Sequence, residues 1–219
     1  MNAVSGTIRP YCLKEEIWSS VIHGIGILFG VAGLAVLVTL SAFYGDVWSI
    51  VSTAVFGVSM IVLYAASTLY HAIPFPEAKR KLKKFDHISI YYLIAGSYTP
   101  FLLVNLRGTT GWIIFGIIWF LALTGTILKL FSQGSGTKFW SIGLYLLMGW
   151  LIVFASGQLV SAIPATGLAF LIAGGLFYTL GIFFYVWKSR KYTHAIWHFF
   201  VLSGTIMHFF AILYSCVLN

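Results

Sequence analysis

Apolar residues along this chain do not alternate with polar ones. They run in blocks of about twenty, each long enough to cross a bilayer as a helix and each closed by a short polar or turn-forming stretch. Seven such blocks predict helices at 17–43, 47–72, 86–106, 111–131, 139–159, 164–187 and 194–217. Hydrocarbon offers no partners to backbone N–H and C=O groups, so each block must satisfy its own as a helix. The pattern therefore predicts an all-α integral membrane protein, a seven-transmembrane-helix bundle forming one domain over 1–219, with 1–16 as a short tail. Pro74 and Pro76 end the second helix, and Pro100, behind Ser97 and Thr99, predicts a kink in the third. Gly26 and Gly30, spaced as GxxxG, predict close approach of a neighbouring helix within the bundle.

Composition agrees. Of the 219 residues, 60% are hydrophobic and 8% charged, and the mean hydropathy is +0.95, more apolar surface than a soluble domain of this size can hide. The head of the chain lacks the basic, apolar and small-residue order of a cleaved signal, so the first helix is expected to be a retained anchor. There is no internal repeat, which argues against a transporter built from two homologous halves.

Charge gives the orientation. With these helices, Arg9, Lys14, Lys79, Arg80, Lys81, Lys83, Lys84, Lys129, Lys138, Lys188, Arg190 and Lys191 fall on one side, leaving Arg107 alone of the 13 basic residues on the other. Positive charge is retained in the cytoplasm during insertion, so the N-terminus is expected to be cytoplasmic and the C-terminus external. The net charge of +8 sits in these juxtamembrane stretches, where its natural partners are anionic inner-leaflet headgroups of membrane lipids; nucleic acid is excluded and no protein partner is evident. Cys12 and Cys216 fall on opposite faces of the bilayer and cannot pair.

The candidate chemistry lies at that same cytoplasmic side. His71 ends the second helix, Asp86 begins the third, and His194 and His198 stand in the first turns of the last. Polar groups at this depth are costly unless paired or metal-bound, so their coincidence marks a site. Four residues of separation puts His194 and His198 on one helical face, the spacing with which a helix clamps a metal, and His71 would bring a third nitrogen. Three protein ligands leave a tetrahedral Zn²⁺ with an open position, the arrangement of catalytic rather than structural zinc. Asp86 could hold and deprotonate a water beside the metal, and Ser67, one turn deeper than His71, could stabilise an oxyanion. Each residue alone also has a plainer role: histidines satisfying headgroups and helix-end carbonyls, Asp86 as a helix N-cap, Ser67 as a packing residue. His208, ten residues past His198, is ~15 Å further along the helix and cannot share the metal. His23 is a reserve ligand, and it and His87 suit supporting or interface positions.

Taken together, Ser67-Thr68-Leu69-Tyr70-His71, then Phe85-Asp86-His87, then His194-Ala195-Ile196-Trp197-His198, in order within seven spans, resemble the hemolysin III branch of the progestin and adiponectin receptor superfamily. That group is in turn similar to the alkaline ceramidases. The resemblance covers the chain from about Glu15 onward. It implies a cytoplasm-facing zinc held by His71, His194 and His198, with Asp86 near the metal's water and Ser67 as the fifth member. The short tail lacks the long extension of the animal receptors, so hormone binding does not carry over, and a bacterial plasma-membrane protein is expected.

The function expected from these residues is zinc-dependent hydrolysis of a lipid amide or ester, the substrate entering sideways from the bilayer. The alternative is a non-catalytic sensor or regulator of membrane lipid state in which zinc braces the helices. A hemolysin-type pore, which the branch name implies, would need a polar lining through the span, and the outer halves of these helices carry little beyond Asp46 and Arg107 at their ends.

Overall fold

The computed structural model describes residues 12–131, 137–187 and 189–219. The start of the tail, with Arg9, and Lys188 lie outside the described residues, as does the side chain of Lys138. In chain order the elements are α1 Leu13–Tyr44, α2 Val47–Ala72, α3 Pro76–Pro100, α4 Thr109–Phe131, α5 Thr137–Trp150, α6 Ser156–Ala162, α7 Ala165–Val186 and α8 Thr193–Ile212. A π turn, Phe101–Asn105, continues α3; a 3-10 turn, Leu151–Ala155, joins α5 to α6; a second π turn, Leu213–Val217, ends α8. Among the described residues there is no strand, and seven helical spans are long and apolar enough to cross a membrane, α5 and α6 together making the fifth.

Three differences from the expected helices have physical causes. α3 begins at Pro76 rather than 86, so the lysine-rich stretch is helix and not loop. Proline suits the first helical position, and Glu77, Ala78, Lys79, Arg80, Lys81 and Leu82 are all strong helix formers. Asp86 is consequently ten residues inside α3 and is not its N-cap. α1 begins at Leu13, which places Glu15 and Glu16 in its first turn and not in a tail. The fifth span is broken at its centre because the Tyr98 hydroxyl enters its backbone ladder, donating to Gly149 O at 2.8 Å and accepting from Ile152 N–H at 3.0 Å, a recognised cause of helix breaks. The disturbance expected at Pro100 takes the form of the π turn that follows it.

α2, α3 and α8 are the most buried spans. α1 lies along α2 and also touches α8, α4 lies on α3, and α7 packs chiefly on α8. The close approach expected of α1 is at Gly26 and Gly30: an added Cβ would fall 2.7 Å from the ring of Tyr64 at the first and 3.1 Å from Ile61 at the second. Both neighbours belong to α2, so this face is occupied within the bundle.

At the end of the bundle away from Lys79–Lys84, Asp46 caps α2 by accepting from Ser49 N–H at 3.0 Å and pairs with Arg107 at 2.8 Å. The Ser49 N–H, helped by the Arg107 guanidinium, holds the Asp46 carboxyl below its usual pKa. The one basic residue described at that end is thereby matched by an acid, which sharpens the contrast with the basic end.

Candidate metal centre

His71 is in the last turn of α2 and His194 and His198 in the first two turns of α8. With α1 packed against both helices, the three imidazoles converge. Their Nε2 atoms lie 3.0 Å (His198 to His71), 3.0 Å (His198 to His194) and 3.3 Å (His194 to His71) apart, and all three residues are buried. Three nitrogens in a triangle cannot all be matched donor to acceptor. Each neutral ring nitrogen is one or the other, so at least one edge must set two lone pairs or two N–H groups against each other. A cation at the centre removes that conflict. Two ligands at ~2.0–2.1 Å from zinc in tetrahedral directions stand about 3.3 Å apart, so the donor set and its spacing fit such an ion. Among the described residues, these three form the group of ligand atoms lying within 4.8 Å of one another; Asp86 is outside it.

The surroundings orient these rings. His71 Nδ1 is 2.6 Å from Glu16 Oε2; the carboxylate only accepts, so the His71 proton sits on Nδ1 and its Nε2 lone pair faces the centre. Lys79 steadies Glu16 from the other side at 2.8 Å and donates to Tyr70 O at 3.0 Å. His198 Nδ1 is 2.8 Å from His23 Nε2. α8 has no side-chain cap of its own: Tyr192 precedes it at φ 65, the one non-glycine residue with positive φ among those described. Glu15 Oε1, from α1, accepts the His194 backbone N–H at 3.2 Å. An acid at a helix N-terminus meets both its orphan N–H groups and its dipole.

Glu15 and Glu16 are thus functional neighbours that a reading of the chain as tail plus helix passes over. The signal was present: Glu15, Ser19 and His23, all buried, recur every four residues and form a polar stripe on an otherwise apolar helix.

Asp86 is 2% exposed; its Oδ2 has no hydrogen bond and lies 3.5 Å from His87 Nδ1. His87 donates from Nδ1 to Lys83 O at 2.7 Å. Its Nε2 is therefore an acceptor, 3.3 Å from the Tyr185 hydroxyl. Ser67 is fully buried one turn from His71, its hydroxyl without a partner. His208 stays away from the cluster, its ring at 5.2 Å from that of Tyr178 and set into the notch at Gly174, where an added Cβ would overlap it.

Asp86 and His23 both line a cavity of about 390 Å³ that runs between α3, α5, α6, α7 and α8 as far as His208. Its wall is otherwise almost wholly aliphatic and aromatic. Val153, Val160, Ile172 and Leu176 line it and are about half exposed, so the cavity is open between α5–α6 and α7, where a bilayer would lie.

Comparison with known proteins agrees with this architecture. The profile described as "Haemolysin-III related" matches residues 11–209. The "Hemolysin-3 homolog" of Bacillus subtilis (strain 168) is 44% identical over 207 residues, covering 94% of this chain and 97% of that protein. "Hemolysin-3" of Bacillus cereus is 42% identical over 202 residues, 92% of each. The human "Monocyte to macrophage differentiation factor" is 30% identical over 217 residues, 95% of this chain and 87% of that protein. Seven apolar spans and such relatives make this a multi-pass bacterial membrane protein.

Proposed function

The chain belongs to the haemolysin-III-related family, and on that premise we propose that it is a zinc-dependent hydrolase of a lipid amide or ester, with its site at the cytoplasmic end of the bundle. The observation that carries this reading is the junction of two unlike environments. A three-histidine cluster is joined through His23 to the polar end of an apolar cavity that opens toward lipid. A substrate with a long chain and a polar junction would fit both parts at once.

Zinc held by His71, His194 and His198 would supply Lewis acidity to a carbonyl and acidify water toward neutral pKa. The protein's own residues do the rest. Asp86, whose Oδ2 has no hydrogen bond, accepts the proton of the attacking water and passes it to the leaving nitrogen or oxygen as the acyl bond breaks. Ser67, whose hydroxyl is also unengaged, donates to the oxygen that gains charge. Glu16 keeps His71 in the tautomer that presents Nε2. The aliphatic wall excludes bulk water from the chain of the substrate, and the basic first turns of α3 meet anionic headgroups at the same surface.

The test is hydrolysis of a panel of ceramides, N-acyl amides and glycerolipid esters by purified protein in bilayers, zinc-loaded beside zinc-stripped. Zinc-dependent release of fatty acid is expected; none across the panel would move the reading to a lipid sensor in which the metal only ties α2 to α8. Orientation is tested separately. Reporter fusions at Asn219 are expected to give an external signal and insertions within Lys79–Lys84 a cytoplasmic one. A cytoplasmic signal from Asn219 would overturn the placement of the site on the inner face.

A further inference from the structure

One imidazole touches the cluster without belonging to it. His23, from α1, is 1% exposed. Its ring stands at 80° to that of His198 with centroids 3.9 Å apart, and its Nε2 is 2.8 Å from His198 Nδ1. The opposite nitrogen, Nδ1, is buried and has no hydrogen-bond partner. His23 lines the apolar cavity, as does Asp86, whose Oδ2 also lacks a hydrogen bond.

Proton counting fixes the rest. A neutral imidazole carries one N–H and one lone pair. If His198 turns the lone pair of Nε2 to a metal, its proton must be on Nδ1, and the group in reach is His23 Nε2. His23 must then accept there, and its own proton is confined to Nδ1. We infer that His23 is a positioning residue with a second duty: it holds His198 in the ligating tautomer, and the same bond obliges it to offer its Nδ1–H to the carbonyl oxygen of a lipid seated at the polar end of the cavity. This rests on the metal reading above and deepens it. It assigns a hydrogen-bond donor, beside the Asp86 acceptor, to the place where the polar junction of such a lipid would arrive. An unpaired buried N–H is costly, which is the physical reason to expect an oxygen there.

Wild-type protein with ¹⁵N-labelled histidine, loaded with zinc, tests this. The His23 signals, identified by their loss in His23→Gln, are expected to show a protonated Nδ1 and a bare Nε2, and the Nδ1–H resonance is expected to move when oleamide is added in nanodiscs. Zinc affinity by chelator competition gives a second readout. His23→Leu is expected to bind zinc about 10- to 100-fold more weakly. His23→Gln, whose carbonyl can accept from His198 while its amide donates onward, should stay close to wild type. A zinc-loaded protein with its His23 proton on Nε2 would overturn both roles, since Nδ1 would then have no hydrogen to give; zinc affinity unchanged in His23→Leu would overturn the positioning role alone. An Nδ1–H resonance indifferent to oleamide would overturn the donor role. Wild-type protein that takes up no zinc would remove the metal reading and this inference together.

Discussion

Replacing His194 and His198 together by alanine is expected to reduce bound zinc from roughly one ion per chain to background, since a single remaining imidazole cannot hold a tetrahedral ion. Elemental analysis of protein purified without chelators measures it, with His208→Ala as the control. His208 is as histidine-like in sequence as the other two and sits on the same helix, yet it packs at Gly174 away from the cluster, so its loss should leave zinc in place. Equal zinc in the double variant and wild type would remove the basis of every metal-dependent role argued above.

The second large effect separates an enzyme from a brace. Asp86→Asn keeps shape and hydrogen-bonding capacity but removes the proton acceptor, and turnover of a lipid amide should fall by ~10² to 10⁴-fold. Bound zinc should change little, because Asp86 lies outside the group of mutually close ligand atoms. A brace would respond the other way: Asp86→Asn nearly silent, His71→Ala both metal-free and destabilised, because metal binding that ties α2 to α8 is folding free energy. Hydrolysis unchanged in Asp86→Asn would end the catalytic role of that carboxylate.

Much of this is legible in the sequence alone. Hydrophobic blocks fixed the seven spans to within a few residues except at α3 and, by smaller margins, at α1 and the end of the fifth span. The HxxxH spacing with His71 named the three residues whose nitrogens meet. The misreadings share a cause. A run of charge marks the end of an apolar block but not of the helix: Lys79–Lys84 and Glu15–Glu16 are good helix formers that let α3 and α1 run on past the apolar block. Their side chains then turn back: Glu16 reaches His71 and Glu15 reaches α8. The cavity was not legible at all. It arises from how α7 stands relative to α5 and α6, a matter of packing that no local pattern encodes, and the break that shapes α5–α6 depends on the hydroxyl of one tyrosine from α3.

The cluster spans the length of the chain: His71 and His198 are 127 positions apart, and the Glu15 carboxylate meets a backbone N–H 179 positions later. During synthesis, which proceeds from the amino end at a few to some tens of residues per second, α1, α2 and α3 enter the bilayer well before α8 exists. Glu16 can find His71 early, but a chain that has not reached residue 194 owns only one of the three nitrogens. Metal uptake by this cluster would therefore be a closing event of biogenesis, and a polypeptide stalled or cut before residue 194 is expected to stay metal-free however well its earlier helices have inserted.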